Sequence, residues 1–109
     1  MVYNRKLIVK KDILIDFVAT VRDYNGNVVD LSVYESVKFI MVDSDNVVKI
    51  NATATFMSKT NGTVTYNFTG TDLDTVGKFK AYFVFYTGST KKLASPPTYF
   101  DIEVTEDYL

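Results

Sequence analysis

The segment Gly77 to Thr87, GKFKAYFVFYT, sets the terms for the whole chain. Side chains along an extended strand point alternately to opposite faces. Phe79, Ala81, Phe83 and Phe85 therefore share one side, and Lys78, Lys80, Tyr82, Val84 and Tyr86 share the other. At about 3.3 Å per residue the segment reaches roughly 35 Å, long for a strand in a small domain. Its phenylalanine face demands a second layer to bury it. Its tyrosine face is too apolar to be plain solvent surface.

The flanking sequence follows the same grammar. Lys6 to Val9 reads as a short strand, interrupted at Asp12. From Ile13 to Arg22, Ile15, Phe17, Ala19 and Val21 alternate with Asp16, Val18, Thr20 and Arg22, a period of two. Tyr24-Asn25-Gly26-Asn27 is a hairpin signal, because Asn-Gly tolerates the positive φ angles of a type I′ turn. Asp30-Leu31-Ser32 breaks the ladder. Glu35 to Val42 is the next strand, with Lys38 the one polar residue among Lys38, Ile40 and Val42, which predicts cover on both sides. Asp43 to Asn46 turns, Val47 to Ile50 returns, and Ala52, Ala54 and Phe56 mark a further strand. Asn61-Gly62 is a second Asn-Gly turn, after which Val64, Tyr66 and Phe68 face inward. Thr71 to Asp74 is the one helix-like moment, with Thr71 as N-cap and Asp74 three residues on. Pro96-Pro97 marks the entry to a last strand, Tyr99 to Thr105, with Phe100, Ile102 and Val104 inward. About seven short strands at regular spacing predict an all-β domain, an immunoglobulin-like antiparallel two-sheet sandwich spanning residues 1–109 as one unit.

Composition narrows the functions. The 109 residues include no Cys and no His. That removes disulfides, thiolate metal sites, the usual general base and the commonest metal ligand. Twelve basic residues stand against thirteen acidic ones, whereas a nucleic-acid surface needs a net basic field. Basic residues gather early, at Arg5, Lys6, Lys10 and Lys11, and acidic ones late, at Asp101, Glu103, Glu106 and Asp107. If the first and last strands lie side by side, these groups attract one another weakly. No apolar run approaches the ~20 residues of a membrane-spanning helix. The opening MVYNRKLIVKKD has neither the apolar core nor the small-residue site of a signal peptide. The N-x-T sequons at Asn51, Asn61 and Asn67 read as chance in an Asn/Thr-rich chain.

Candidate sites are few. Asp43-x-Asp45 suggests a calcium loop, but Val48 stands where such a loop needs Gly, so a polar hairpin turn is the simpler reading. Asp101 and Glu103 share a strand face about 7 Å apart, within reach of a paired-carboxylate geometry. Two solvated residues explain them better, and the expectation is no catalytic residue, no cofactor, no metal and no enzyme. The tyrosine face is the anomaly. Tyr82, Val84 and Tyr86, with Ile40 and Val42 beside them on a neighbouring strand, make a candidate interface, unless a loop such as Lys92 to Thr98 covers them.

In order along the chain, IVKKD, VRDYNGNVVDLS, SVKFIMVD, VVKINATATF and NGTVTYNFTGTDLDTVGKFKAYFVF, then a Pro before the last strand, resemble one family. It is the N-terminal domain of phage baseplate upper proteins, an immunoglobulin-like module of siphophages that infect Gram-positive hosts. Gly62 to Phe85 carries most of the likeness: a Gly-x-Val-x-Tyr strand, a Thr/Asp-rich turn, then Gly-x-aromatic and an alternating strand. The resemblance implies a virion structural protein that attaches to the tail baseplate, made in the host cytoplasm and homo-oligomeric. Its partners would be other virion subunits, with no role for nucleic acid or membrane. In the family a helical or fibre region follows this domain and holds receptor-binding proteins. A module standing alone would serve instead as a small head or tail decoration or adaptor protein. The alternative is a carbohydrate- or host-surface-binding sandwich whose exposed tyrosines stack on sugars.

Overall fold

A computed structural model describes residues 5–23, 25–93 and 100–106. Among these, nine strands form two layers: β1 (Arg5–Lys10), β2 (Asp16–Thr20), β3 (Ser36–Asp43), β4 (Val48–Thr53), β5 (Thr55–Ser58), β6 (Thr63–Asn67), β7 (Gly77–Thr87), β8 (Thr90–Leu93) and β9 (Phe100–Thr105). The larger sheet runs β1-β9-β7-β3-β4, with β8 also on β7, and the smaller runs β2-β6-β5. The all-β sandwich agrees with the alternation in the sequence.

Three details differ from the sequence reading. The stretch Val47 to Phe56 serves both sheets: the chain leaves the large one after Thr53, passes Ala54, and joins the small one at Thr55. A short β8 lies against the end of β7, with Val84 opposite Leu93. The first and last strands do run side by side, but parallel, with Lys6 opposite Asp101. The expected Pro96-Pro97 entry and Tyr99 lie outside the described residues.

The core joins the two inner faces. Phe39, Met41, Ala81, Phe83, Phe85, Ile102 and Val104 come from the large sheet, and Ala19, Val64 and Tyr66 from the small one, all buried. Phe39 is at the centre, stacked on Tyr66 with ring centroids 4.5 Å apart. It meets Phe83 at 5.3 Å and Phe68 edge-on at 5.6 Å. Leu31, expected only to break a ladder, is buried in the same core. Its N–H bonds to the Lys59 carbonyl, and Lys59 Nζ donates to the Tyr34 carbonyl at 2.7 Å.

The hairpin turns share one solution. In the loops at 23–27, 43–47 and 59–62 the fourth residue donates its N–H back to the first: Gly26 to Asp23, Asn46 to Asp43, Gly62 to Lys59. That fourth residue takes positive φ in each case, at 83°, 63° and 67°. These are type I turns closed by a left-handed residue, not the two-residue type I′ turns that Asn-Gly suggests. The asparagines at 25 and 61 keep negative φ, so only the position after them needs glycine, or the tolerant Asn46.

Candidate functional site

The outer face of the large sheet holds all five candidate contact residues. β3 lies antiparallel on β7, with Ile40 opposite Tyr82, Lys38 opposite Val84, and Val42 opposite Lys80. This register brings the five together and layers them. Ile40 and Val84 are only 9% and 6% exposed, yet neither belongs to the central core. Tyr82, Tyr86 and Val42 are half-buried. The Lys38 ammonium sits 5.8 Å from the centre of the Tyr86 ring, so its methylene stem crosses the face beside Val84. Ile40 and Val84 thus support the face, while Tyr82, Tyr86 and Val42 present it. The loop named as the alternative cover, Lys92 to Thr98, lies largely outside the described residues.

Further along, the same face changes character. Lys80 is opposite Asp101 and Lys78 opposite Glu103, so cations alternate with carboxylates across β7 and β9. The two carboxylates considered as a catalytic pair are therefore interleaved with lysines. Ser44 and Asn46 of the β3–β4 turn join them around a groove of about 390 Å³. Asp43, the first residue of the suspected calcium loop, spends one carboxylate oxygen on the N–H groups of Asp45 and Val47, at 2.8 and 2.9 Å. Asp23 does the same for Asn25 and Asn27. Each carboxylate closes a hairpin loop by local side-chain bonding.

The segment between β6 and β7 makes the short turn its sequence suggests, with Asp72 N–H on the Thr69 carbonyl at 2.9 Å and Asp74 N–H on the Thr71 carbonyl at 3.2 Å, but its acids do more than start a helix. Asp72 accepts the Tyr66 hydroxyl at 2.6 Å and the Thr69 N–H at 2.9 Å. Asp74 pairs with Lys49 at 2.6 Å, which, with the Thr75 hydroxyl, holds its carboxyl below the usual range. Leu73 between them is buried, and its carbonyl accepts from Asp12 N–H. The acids pin the loop to β6 and β4, which the tertiary fold supplies and the local sequence does not.

Burial, and then the Asp72 hydrogen bond and charge, push the Tyr66 phenol well above its ordinary value. A folded-state value above the unfolded one favours folding fully below pH ~10 and loses that contribution as pH rises further. The thermal midpoint is therefore expected to fall more steeply above pH ~10 in the native protein than in Tyr66→Phe, which carries no titrating phenol there. Parallel declines in a pH series of melts would show that Tyr66 does not carry the alkaline loss.

Sequence reasoning missed one apolar cluster. Val47, Val48 and Val76 are all exposed and surround a second groove beside Thr75 and Gly77. Paired valines directly after a turn are its only sequence signal.

Fold and face together describe a small β-sandwich with an aromatic sheet surface flanked by a charged one. No family model matches the chain, and no curated protein matches it. Among solved structures it is similar to the N-terminal domain of phage TP901-1 ORF48, with a TM-score of 0.68 and 21% sequence identity, over 96% of this chain and 86% of that one. At that identity the likeness is one of fold.

Proposed function

We propose that this chain is a structural protein of a phage virion, of the baseplate-attachment kind, that works by docking its outer sheet face on other virion subunits. The observation that carries the reading is the half-buried pair Tyr82 and Tyr86 on the outer sheet face, set over the buried Ile40 and Val84. Tyrosine suits such a face, offering area, few rotors and a polar tip. The fold shared with a phage protein domain supports the same reading. Docking requires no chemistry, in keeping with a chain that has neither His nor Cys.

The test is incorporation. Antibody against this chain should label purified particles at the tail in immunogold electron microscopy. Tyr82→Ala with Tyr86→Ala should reduce incorporation at least tenfold while lowering the unfolding free energy by only about 1–3 kcal/mol for the pair, less than one core truncation, because the rings are half-buried and not core. Unlabelled particles, or a double variant that incorporates normally, defeat the reading. The partly exposed tyrosine rings, with a polar groove walled by Ser44, Asn46 and Asp101 further along the sheet, favour a second reading as a sugar-binding face. Glycan-array binding by the native chain that both tyrosine substitutions abolish would favour it over docking.

A further inference from the structure

We propose that β4 is a homodimerisation edge, along which two copies of this chain pair antiparallel about a two-fold axis at Asn51. The backbone argument comes first. Ala54 N–H bonds to the Val37 carbonyl, and Ala52 and Ile50 face Phe39 and Met41 in the same register. Hydrogen-bonding direction alternates along an antiparallel strand, so Asn51 and Thr53 turn their N–H and C=O groups away from β3. β4 is the last strand on that side of the large sheet, and among the described residues nothing pairs with its outer edge. An edge of this kind is a template for another strand.

The side chains decide which strand. Edges are usually kept apart by lysines, prolines or bulges. Both the only charge on β4 and its one bulge fall at Lys49, before the regular stretch Ile50 to Thr53, and Asp74 holds that lysine at 2.6 Å. Asn51 and Thr53 are exposed and uncharged. A two-fold axis at Asn51 sets Asn51 opposite its own copy and Lys49 opposite the other copy's Thr53. No like charges meet, which is the self-complementarity that an isologous contact requires. The other edges are poorer: β1 carries Arg5, Lys6 and Lys10, β2 opens on Asp16, and β5, which shifts register as β4 does at Lys49, is only four residues long and so lacks a regular stretch like Ile50 to Thr53. The exposed Val47 and Val48 add apolar area at the start of β4. The product is one continuous sheet through two molecules. A pairing this short buries less than the ~1,200 Å² of a stable interface, so the dimer is concentration-dependent.

The chain has no cysteine, so Asn51→Cys gives a unique probe. Hydrogen-bonded partners in an antiparallel ladder lie about 5.5 Å apart by Cα, within disulfide range. Under mild oxidation Asn51→Cys should form a covalent dimer on a non-reducing gel, while Thr53→Cys, whose opposite residue is Lys49, should stay monomeric. Sedimentation of the native chain over a concentration series should show reversible doubling of mass. Asn51→Pro removes an N–H that serves no bond within the chain, and Asn51→Lys sets like charges on the axis. Each should raise the dissociation constant at least tenfold, and the lysine variant still decides the matter if the proline variant misfolds. Tyr82→Ala should leave dimerisation unchanged, which separates this edge from the tyrosine face. A native chain that stays monomeric at every concentration, an Asn51→Cys chain that does not cross-link, or a dimer indifferent to Asn51→Lys overturns the proposal.

Discussion

Phe39→Ala is expected to lower the free energy of unfolding by about 3–5 kcal/mol. The ring is 0% exposed and joins the two layers. From β3 in the large sheet it meets Phe17 and Tyr66 of the small sheet, at 5.9 and 4.5 Å, together with Phe68 at 5.6 Å and its sheet neighbour Phe83 at 5.3 Å. Truncation loses the transfer free energy of the ring and leaves a cavity walled by other rings, which cannot collapse without leaving their own rotamers. Aromatic pairs add about 0.5–1.5 kcal/mol each beyond burial, so the upper part of the range is the expectation. Small domains hold only about 5–15 kcal/mol in total, so the variant should sit near the limit of folding at 37 °C. Urea titration at 25 °C reads this as a large fall in midpoint with little change in slope. Tyr82→Ala on the opposite face is the natural control. Similar midpoints for the two variants would mean that the phenylalanine side of the large sheet is not its inner side.

That inner side was legible because β3 and β7 alternate without a break: Val37, Phe39 and Met41 on one, Phe79, Ala81, Phe83 and Phe85 on the other. Their antiparallel pairing puts Phe39 directly opposite Phe83. Alternation fixes which side a residue faces but not what lies beside it. The layering of the tyrosine face depends on register, since the stem of Lys38 reaches across the sheet to Tyr86 and a polar residue by pattern becomes cover by geometry. The crossing at Ala54 was hidden for a related reason. Ala52, Ala54 and Phe56 keep a period of two while the chain changes sheets, so the pattern does not register the change. The further roles of the acids after β6 were hidden because their partners, Tyr66 and Lys49, are brought to them by the fold. Leu31 was missed because one apolar residue between Asp30 and Ser32 shows no periodicity at all.

Gly62→Ala should destabilise the fold by about 2–4 kcal/mol, the largest effect expected of any one-carbon change here. Two independent causes act at this position. The backbone φ is +67°, a conformation that costs an L-residue about 1–2 kcal/mol. A Cβ placed there would also lie 2.6 Å from the Val29 carbonyl oxygen and 3.1 Å from that of Val21. Both neighbours are backbone, and both are committed: the Val21 N–H bonds to the Gly62 carbonyl at 2.8 Å, and the Val29 N–H to the Val21 carbonyl at 3.0 Å. Relief of the clash therefore requires opening the contact between the β5–β6 hairpin and the strand leaving β2. Gly26 isolates the conformational part, because its φ is +83° and a Cβ there meets nothing within 4 Å. Gly26→Ala should cost only about 1–2 kcal/mol. The difference between the two variants in denaturant midpoint measures the close approach alone. Equal losses would mean that the hairpin yields freely at Val29, and that the small sheet is held to its connecting loop less tightly than these distances require.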